Sequence, residues 1–223
     1  MTTTANPIDL SLYLVLDPDL CGGLAEMVST ATIAAQNGAT VVQLRAPQWK
    51  KRQWLLAAQA LKAALAPYNV PLIINDQLDI ALAIDADGVH VGQQDLPATE
   101  VRRLFGPNKI VGLSTNGLAQ FHEAEGMYHA GIIDYVGVGP VYPTGTKKDA
   151  SPVIAVDEVA AMLQNRILPA VAIGGIQAGK VAHLMALGFD GVAVVSAICG
   201  QADVAGATQG LLAEIHAAKG NTK

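Results

Sequence analysis

Short runs of apolar residues, rich in Val and Ile, recur along the whole chain. The eight runs are YLVLD (13–17), TVVQLR (40–45), PLIIND (71–76), GVHVG (88–92), KIVGLST (109–115), YVGVGP (135–140), AVAIGG (170–175) and GVAVVSAI (191–198). Each run is bounded by Gly, Pro, Asp or Asn, and each carries apolar residues on both faces. Apolar residues on both faces are typical of parallel strands that are covered by helices. The pattern therefore predicts eight buried parallel strands.

Segments rich in Ala and Leu lie between these runs and predict helices. Examples are GLAEMVSTATIAAQNG, WLLAAQALKAALAP, ATEVRRLFG, LAQFHEAEGMYHAG and KVAHLMALG, many of which end in Gly, a common helix stop. Eight strand–helix units in 223 residues predict an α/β fold, a (β/α)8 TIM barrel in a single domain over residues 1–223. We expect flexible termini at residues 1–8 and 219–223. A doubly wound open sheet is the alternative, but no G-x-G-x-x-G opens the first helix.

The composition argues against several classes of protein. Hydrophobic residues make up 51% of the chain and charged residues 15%, which favours a large core over disorder. The net charge of -5 provides no basic field for a nucleic-acid backbone, so we expect no nucleic-acid partner. Every apolar run is shorter than the ~20 residues of a membrane-spanning helix, and MTTTANPIDLSLYLVLDPDL lacks the basic segment of a secretory signal. We therefore expect a cytoplasmic protein without membrane contact, in which Cys21 and Cys199 are reduced thiols.

In a barrel of this kind, the chemistry lies at the carboxyl ends of the strands. Gln43 and Arg45 close the second run and share one face, because strand side chains alternate. The planar guanidinium of Arg45 suits a phosphate, and the amide of Gln43 offers the mixed edge that suits a heterocycle. The alternative is an internal ion pair between Arg45 and an acidic residue of a neighbouring strand end. The residues alone leave both interpretations open.

Acidic residues follow the third and fourth runs. Asn75 and Asp76 end the third, and Asp95 lies just beyond the fourth. Each could simply cap the next helix. Two carboxylates from adjacent strand ends could instead share a Mg²⁺ ion, which takes one or two carboxylates together with waters and substrate phosphate oxygens. His90, inside the fourth strand, is interpreted as a hydrogen-bonded core histidine, not a ligand.

The later strand ends offer hydroxyl groups, cations and glycines. Ser114 ends the fifth run, where it could donate to a phosphate oxygen or cap a helix. The irregular loop GPVYPTGTKKDA (139–150) follows the sixth run, and its threonines and Lys147 could surround an anion. Gly174, Gly175 and Ser196 follow the last two strands, the common phosphate site of such barrels. Two anion sites without an obvious nucleophile suggest that the protein joins two phosphorylated molecules or isomerises one.

In combination, these motifs resemble one known family. The pieces VVQLR, IINDQLDIALAIDADGVHVGQQDLP, GLST, DYVGVGPVYPTGTKKDA, AIGGI and GVAVVSAI occur in order over roughly residues 12–200 and are similar to the thiamine-phosphate synthases. The resemblance implies a (β/α)8 barrel and a transferase of thiamine biosynthesis. Such an enzyme joins hydroxymethylpyrimidine diphosphate to a thiazole phosphate with Mg²⁺, releasing diphosphate and giving thiamine monophosphate.

The resemblance also implies a role for each matching residue. Gln43 would contact the aminopyrimidine, and Asp76 and Asp95 would bind Mg²⁺. The diphosphate would be held by Arg45, Asn75, Ser114 and Lys147, of which Arg45, Ser114 and Lys147 are expected to be catalytic. The thiazole phosphate side would be formed by Thr144, Thr146, Gly175, Val195 and Ser196.

Position 47 departs from the family pattern, as do Asn116, where the family often has His, and Ile154, where it usually has Gly. The family has Q-x-R-x-K, so a lysine is expected at position 47, where this chain has Pro47. Proline supplies neither charge nor N–H, and Lys50 or Lys51 is a hypothetical substitute. Two rivals remain open: a thiazole tautomerase-like barrel and a non-catalytic binder of phosphorylated thiamine precursors. Retention of both acids and of the PTGTKK loop argues against the tautomerase, whereas Pro47 favours it mildly.

Overall fold

The computed structural model describes residues 8–145 and 151–220, and within these ranges strands and helices alternate regularly. The strands are β1 (Leu12–Leu16), β2 (Val41–Leu44), β3 (Leu72–Asn75), β4 (Gly88–Val91), β5 (Ile110–Thr115), β6 (Tyr135–Val138), β7 (Ala170–Ile173) and β8 (Gly191–Val194). The helices are α1 (Pro18–Cys21), α2 (Leu24–Gln36), α3 (Lys51–Leu65), α4 (Leu78–Ala83), α5 (Ala98–Phe105), α6 (Leu118–His129), α7 (Val156–Leu163), α8 (Val181–Ala186) and α9 (Val204–Gly220). A 3₁₀ turn, Ala66–Tyr68, extends α3.

The eight strands form a closed parallel barrel in sequence order. Each strand pairs with the next, and β8 pairs with β1 through Leu12 and Val192, so the sheet has no edge within the described residues. All eight predicted strands are present, and the predicted (β/α)8 barrel in a single domain is confirmed. The alternative of an open doubly wound sheet is wrong. Residues 1–7 and 221–223 lie outside the described residues, so the expected flexibility of the termini stays a prediction.

The core has two layers because strand side chains alternate between the two faces of the sheet. Leu12, Leu14 and Leu16 of β1 face outwards and join a large cluster with the surrounding helices. Tyr13 and Val15 face inwards and join a smaller cluster that fills the barrel interior. The interior is therefore packed, which confines any open site to the end of the barrel.

A repeated contact fixes strand register at the amino-terminal end of the barrel. In each case the residue just before an even-numbered strand accepts a hydrogen bond from a backbone N–H at the start of the preceding odd-numbered strand. These pre-strand clamps, among the described residues, are Thr40 to Leu12 (3.1 Å), Asp87 to Leu72 (2.8 Å), Asp134 to Val111 (2.7 Å) and Asp190 to Ala170 (2.8 Å). Three of these four clamps use an aspartate, so Asp87, Asp134 and Asp190 have a structural role at the end of the barrel opposite to the strand carboxyl termini.

None of the helices in residues 8–145 and 151–220 combines the length with the apolar character that crossing a membrane would require.

Candidate active site

Several of the predicted polar residues gather at the carboxyl ends of neighbouring strands, which we call the barrel mouth. Gln43 lies on β2 and Ser114 on β5, while Asn75 is the last residue of β3. Asp76 follows β3 directly, and Asp95 lies in the loop after β4. The parallel barrel thus brings residues from four consecutive strands to one end, as the sequence predicted.

Gln43 and Arg45 lie on and just after β2, respectively, and differ in burial. Gln43 is only 4% exposed, and its Nε2 donates to the hydroxyl of Tyr13 at 2.8 Å. Arg45 is half-buried, one step beyond the strand at the mouth. Among the described residues Arg45 makes no salt bridge, so the alternative of an internal ion pair finds no support there.

Asp76 adopts a backbone conformation that is unusual for a residue other than glycine. Its φ is 58°, in the left-handed region, where side chains cost energy unless surrounding contacts hold them. Its N–H donates to the carbonyl of His90 at 2.9 Å, and its Oδ2 accepts from Nδ2 of Asn75 at 2.6 Å. Helix α4 begins only at Leu78 and has no side-chain cap, so the helix-cap interpretation of Asn75 and Asp76 is wrong.

Asp95 is exposed and is held by the loop that carries it. Its Oδ2 accepts the N–H of Gly92, the residue after β4, at 2.8 Å. Helix α5 begins at Ala98 without a side-chain cap, so Asp95 does not cap it. Strands β3 and β4 pair with Asn75 opposite His90, which places the two acids after neighbouring strand ends at the same end of the barrel.

These acids form a donor set that fits Mg²⁺. The described residues contain no cluster of three or more His, Cys, Asp or Glu side chains that could enclose a metal. A closed protein cage is not what Mg²⁺ requires, because this ion keeps several waters and takes one or two carboxylates plus ligand phosphate oxygens. Asp76 and Asp95, with the amide of Asn75 beside them, match that chemistry.

A chain of hydrogen bonds runs through the barrel interior from Gln43 to Ser114. The Tyr13 and Tyr135 hydroxyls lie 2.8 Å apart, and Tyr135 Oη lies 3.0 Å from Nδ1 of His90. His90 Nε2 lies 2.9 Å from Oγ of Ser114. The prediction that His90 is a hydrogen-bonded core histidine is confirmed. The helix-cap alternative for Ser114 is wrong, because α6 begins after Gly117 without a side-chain cap.

Neither tyrosine of this hydrogen-bond chain was among the residues predicted from the sequence. Both faces of the strands are apolar, so the inward position of Tyr13 and Tyr135 could not be distinguished from an outward one. A glycine provided the only signal: a side chain at Gly112 would overlap the rings of Tyr135 and His90. Glycine inside a predicted strand can indicate such a close approach.

The β6 loop packs directly on the ends of β7. Val141 and Tyr142 donate backbone hydrogen bonds to Ile173 and Gly174 at 2.9 and 3.1 Å. Gly175 has a φ of 63°, and a Cβ there would approach Cβ of Tyr142 at 2.9 Å. Packing between these loops therefore explains this glycine without any ligand.

The expected thiazole phosphate residues are only partly described. Thr144 is half-buried in the β6 loop, whereas Thr146 and Lys147 lie outside the described residues. Val195 and Ser196 are half-buried after β8. Oγ of Ser196 accepts from Nε2 of Gln177 at 2.9 Å, which links the loops after β7 and β8. The described part of this side of the mouth comes from consecutive strands, as the barrel predicts.

Lys51 is already engaged elsewhere. Its Nζ contacts the amide oxygen of Gln77 and lies 2.7 Å from Oδ1 of Asp79. The lysine hydrogen bond is the main reason why the pKa of Asp79 is lowered. Lys51 therefore links α3 to α4. This structural role argues against the hypothesis that Lys51 substitutes for the lysine that the family has at position 47.

A closed parallel barrel with polar and acidic side chains at its mouth defines the class of (β/α)8 proteins that build their sites on strand carboxyl ends. The family model described as thiamine monophosphate synthase matches residues 12–198. The chain belongs to this family, which confirms the resemblance found in the sequence.

Named relatives agree with this assignment. The chain is 51% identical to a thiamine-phosphate synthase of Laribacter hongkongensis, over 96% of this chain and 98% of the relative. It is 46% identical to a thiamine-phosphate synthase of Alkaliphilus oremlandii, over 93% and 97% respectively. Among solved structures, a thiamine phosphate pyrophosphorylase from Pyrococcus furiosus matches with a TM-score of 0.83 at 32% identity, covering 94% of this chain and 97% of that one.

Proposed function

We propose that this protein is a thiamine-phosphate synthase. It joins 4-amino-2-methyl-5-hydroxymethylpyrimidine diphosphate to 4-methyl-5-(2-hydroxyethyl)thiazole phosphate and releases diphosphate. The observation that supports the proposal is that a chain matching this family over residues 12–198 carries an amide, a guanidinium, a hydroxyl and two carboxylates at or just beyond the strand carboxyl ends of its barrel. The substrates are small phosphorylated molecules.

Each group at the mouth has a proposed role. Gln43 binds the aminopyrimidine, because its amide can meet both a ring nitrogen and an exocyclic amine. The diphosphate is bound by Arg45, Asn75, Ser114 and Lys147. The thiazole phosphate is bound by Thr144, Thr146, Gly175, Val195 and Ser196.

Asp76 and Asp95 are the residues that would hold Mg²⁺. When bound, the ion supplies positive charge that stabilises the departing diphosphate. The left-handed backbone of Asp76, its contact with Asn75 and the hydrogen bond from Gly92 to Asp95 support this role, because they orient carboxylates that cap no helix.

The residues at the mouth would act mainly on charge and position. The carbon–oxygen bond to diphosphate breaks, and the pyrimidine methylene then forms a carbon–nitrogen bond with the thiazole nitrogen. The thiazole nitrogen supplies the electron pair, so the reaction needs no protein nucleophile. Arg45, Lys147 and Ser114 would stabilise the negative charge that develops on the leaving group. The barrel walls would align the two ligands and exclude water, which competes for a cationic methylene.

The test is a turnover assay with both precursors and Mg²⁺. We expect thiamine monophosphate and diphosphate in equal amounts, and no turnover after chelation of the metal. Diphosphate without thiamine monophosphate would show hydrolysis instead of coupling. Binding without release of diphosphate would refute the proposal and favour a tautomerase-like protein or a non-catalytic binder, which a proton-exchange assay on the thiazole phosphate would distinguish.

We also place this activity in the cytoplasm. The proposal is supported by Cys21 and Cys199, which are both free thiols. Free thiols stay reduced most readily in a reducing compartment. Cell fractionation with an antibody against the chain would test it, and recovery from an oxidising compartment would refute it.

A further inference from the structure

The buried chain from Gln43 to Ser114 connects the two ends of one proposed substrate. Gln43 is assigned to the aminopyrimidine and Ser114 to the diphosphate, and these groups belong to the same molecule. Between them lie Tyr13, Tyr135 and His90, which are 1%, 0% and 8% exposed. Four consecutive contacts of 2.8 to 3.0 Å join the five side chains without a gap.

Both tyrosines keep their protons under ordinary conditions. Burial away from water raises the pKa of Tyr13 and Tyr135 well above the usual value for a phenol. Each hydroxyl therefore has one proton to donate and can accept at its lone pairs. Because each hydroxyl has a single proton, a tyrosine that accepts a hydrogen bond from one partner in the chain donates to the other. The direction of each hydrogen bond in the chain therefore sets the direction of the next.

The orientation of the Gln43 amide in the structure corresponds to one of two possible directions for the whole chain. Because Gln43 Nε2 donates to Tyr13, the Tyr13 proton passes to Tyr135, its other partner among the described residues. The Tyr135 proton then passes to Nδ1 of His90, and a neutral imidazole in this position would carry its own proton on Nε2. Nε2 donates to Ser114, so the Ser114 proton remains for a ligand. In this direction, the amide oxygen of Gln43 is also left to accept from a ligand.

The opposite direction would satisfy every hydrogen bond of the chain equally well, but it does not suit the substrate. If the Gln43 amide were turned around, every proton in the chain would reverse. Ser114 would then donate its hydroxyl proton to His90 and present only lone pairs to the anionic diphosphate. At the other end, the amide oxygen of Gln43 would accept from Tyr13, and its NH₂ group could meet the ring nitrogen but not the exocyclic amine, which is also a donor. Both ends of the substrate thus select the same direction.

We propose that Tyr13, Tyr135 and His90 are positioning residues that form a directional hydrogen-bond relay, which couples diphosphate binding at Ser114 to aminopyrimidine recognition at Gln43. The inference rests on the proposed function, since it assigns the two ends to one substrate. A diphosphate that requires the Ser114 proton thereby prepares Gln43 as an acceptor for the amine. Ligands with an oxo group in place of the amine gain nothing from this coupling.

The first test measures this coupling by calorimetry on the full chain. The probes are inorganic diphosphate with Mg²⁺ and the free alcohol 4-amino-2-methyl-5-hydroxymethylpyrimidine. We expect diphosphate to tighten binding of the alcohol by about fivefold or more, a typical coupling between sites. Tyr135→Phe removes the middle hydroxyl but leaves Gln43 and Ser114 unchanged, and it is expected to bring this factor close to one. Tyr68→Phe, which removes an exposed hydroxyl bonded to Gln36, should preserve it.

A retained coupling factor in folded Tyr135→Phe would overturn the relay, and so would the absence of coupling in the unaltered protein. If Tyr135→Phe does not fold, Tyr13→Phe interrupts the same chain one step earlier. Turnover of the unaltered protein, measured in parallel, separates the two hypotheses. Absence of turnover refutes the proposed function, whereas normal turnover with unaffected coupling refutes the relay alone.

The second test needs no variant. Nitrogen-15 NMR of the unaltered protein with diphosphate and Mg²⁺ reports which ring nitrogens of His90 carry protons. The relay requires protonation at Nε2 and an unprotonated Nδ1. A proton on Nδ1 alone, or on both nitrogens, would overturn the proposed direction.

Discussion

Replacing Asp134 by alanine removes a carboxylate that joins two strands and a helix. Asp134 is 4% exposed, and its Oδ2 accepts from Arg102 of α5 at 2.7 Å and from the N–H of Val111 at 2.7 Å. The Arg102 side chain is itself only 12% exposed. The variant therefore removes one hydrogen bond from the Arg102 guanidinium and one from a backbone N–H, in a buried position where water cannot easily replace them.

The magnitude follows from the number and burial of these bonds. Breaking a buried ion pair by removing one partner typically costs about 3–5 kcal/mol. Arg102 keeps other acceptors, the carbonyls of Gly106, Lys109 and Ile132. Its charge is thus still solvated by the protein, and we expect the lower end, a loss of about 3 kcal/mol. For a chain of this size, that loss lowers Tm by roughly 6–12 °C.

The chain offers a control with the same geometry and different burial. The Lys51–Asp79 pair also has an N–O distance of 2.7 Å, but its side chains are 59% and 61% exposed. Exposed pairs contribute about 0–1 kcal/mol, so Asp79→Ala should lower Tm by no more than about 4 °C. Thermal unfolding followed by circular dichroism compares both variants. If Asp134→Ala is destabilised no more than Asp79→Ala, burial does not decide the strength of these pairs.

The remaining predictions concern the mouth. Asp76→Asn and Asp95→Asn should each lower Mg²⁺-dependent kcat/KM by about 100-fold, because each removes about 2.7 kcal/mol of charge stabilisation. Unchanged turnover in the double variant would refute the metal site. Gln43→Ala should raise KM for the pyrimidine diphosphate roughly tenfold, since about one hydrogen bond is lost, while a rise for the thiazole phosphate instead would contradict its assignment. Pro47→Lys should tighten binding of inorganic diphosphate by about tenfold, whereas Lys51→Ala should leave it unchanged. Calorimetry measures both affinities. Weaker diphosphate binding in Lys51→Ala would show that Lys51 compensates for the missing lysine at position 47.

The fold was predictable because its signal is repeated. Eight apolar runs, each too short for a core helix and each apolar on both faces, left few architectures open. The barrel then located the candidate site, since polar residues such as Asn75 and Asp95 could be expected at strand carboxyl ends. The competing helix-cap interpretation failed because α4 begins two residues beyond Asp76 and α5 begins three residues beyond Asp95.

The interior of the site was not predictable in the same way. Periodicity cannot show which face of a fully buried strand points inwards, so Tyr13 and Tyr135 looked like ordinary strand residues. The hydrogen-bond chain depends on residues far apart in sequence, such as Tyr13 and Tyr135, 122 positions apart. The conformation of Asp76 also depends on its long-range contact with His90, which no local propensity encodes.

The pre-strand clamps divide the described barrel into four consecutive cassettes of two strands. Each clamp joins an odd-numbered strand to its even-numbered successor over only 28, 15, 23 or 20 positions. Contacts this local cost less loop-closure entropy than the pairing of β1 with β8 across the chain. Each pair of strands can therefore establish its register early in folding. Closure of the barrel then requires only that strand pairs with established register dock on one another.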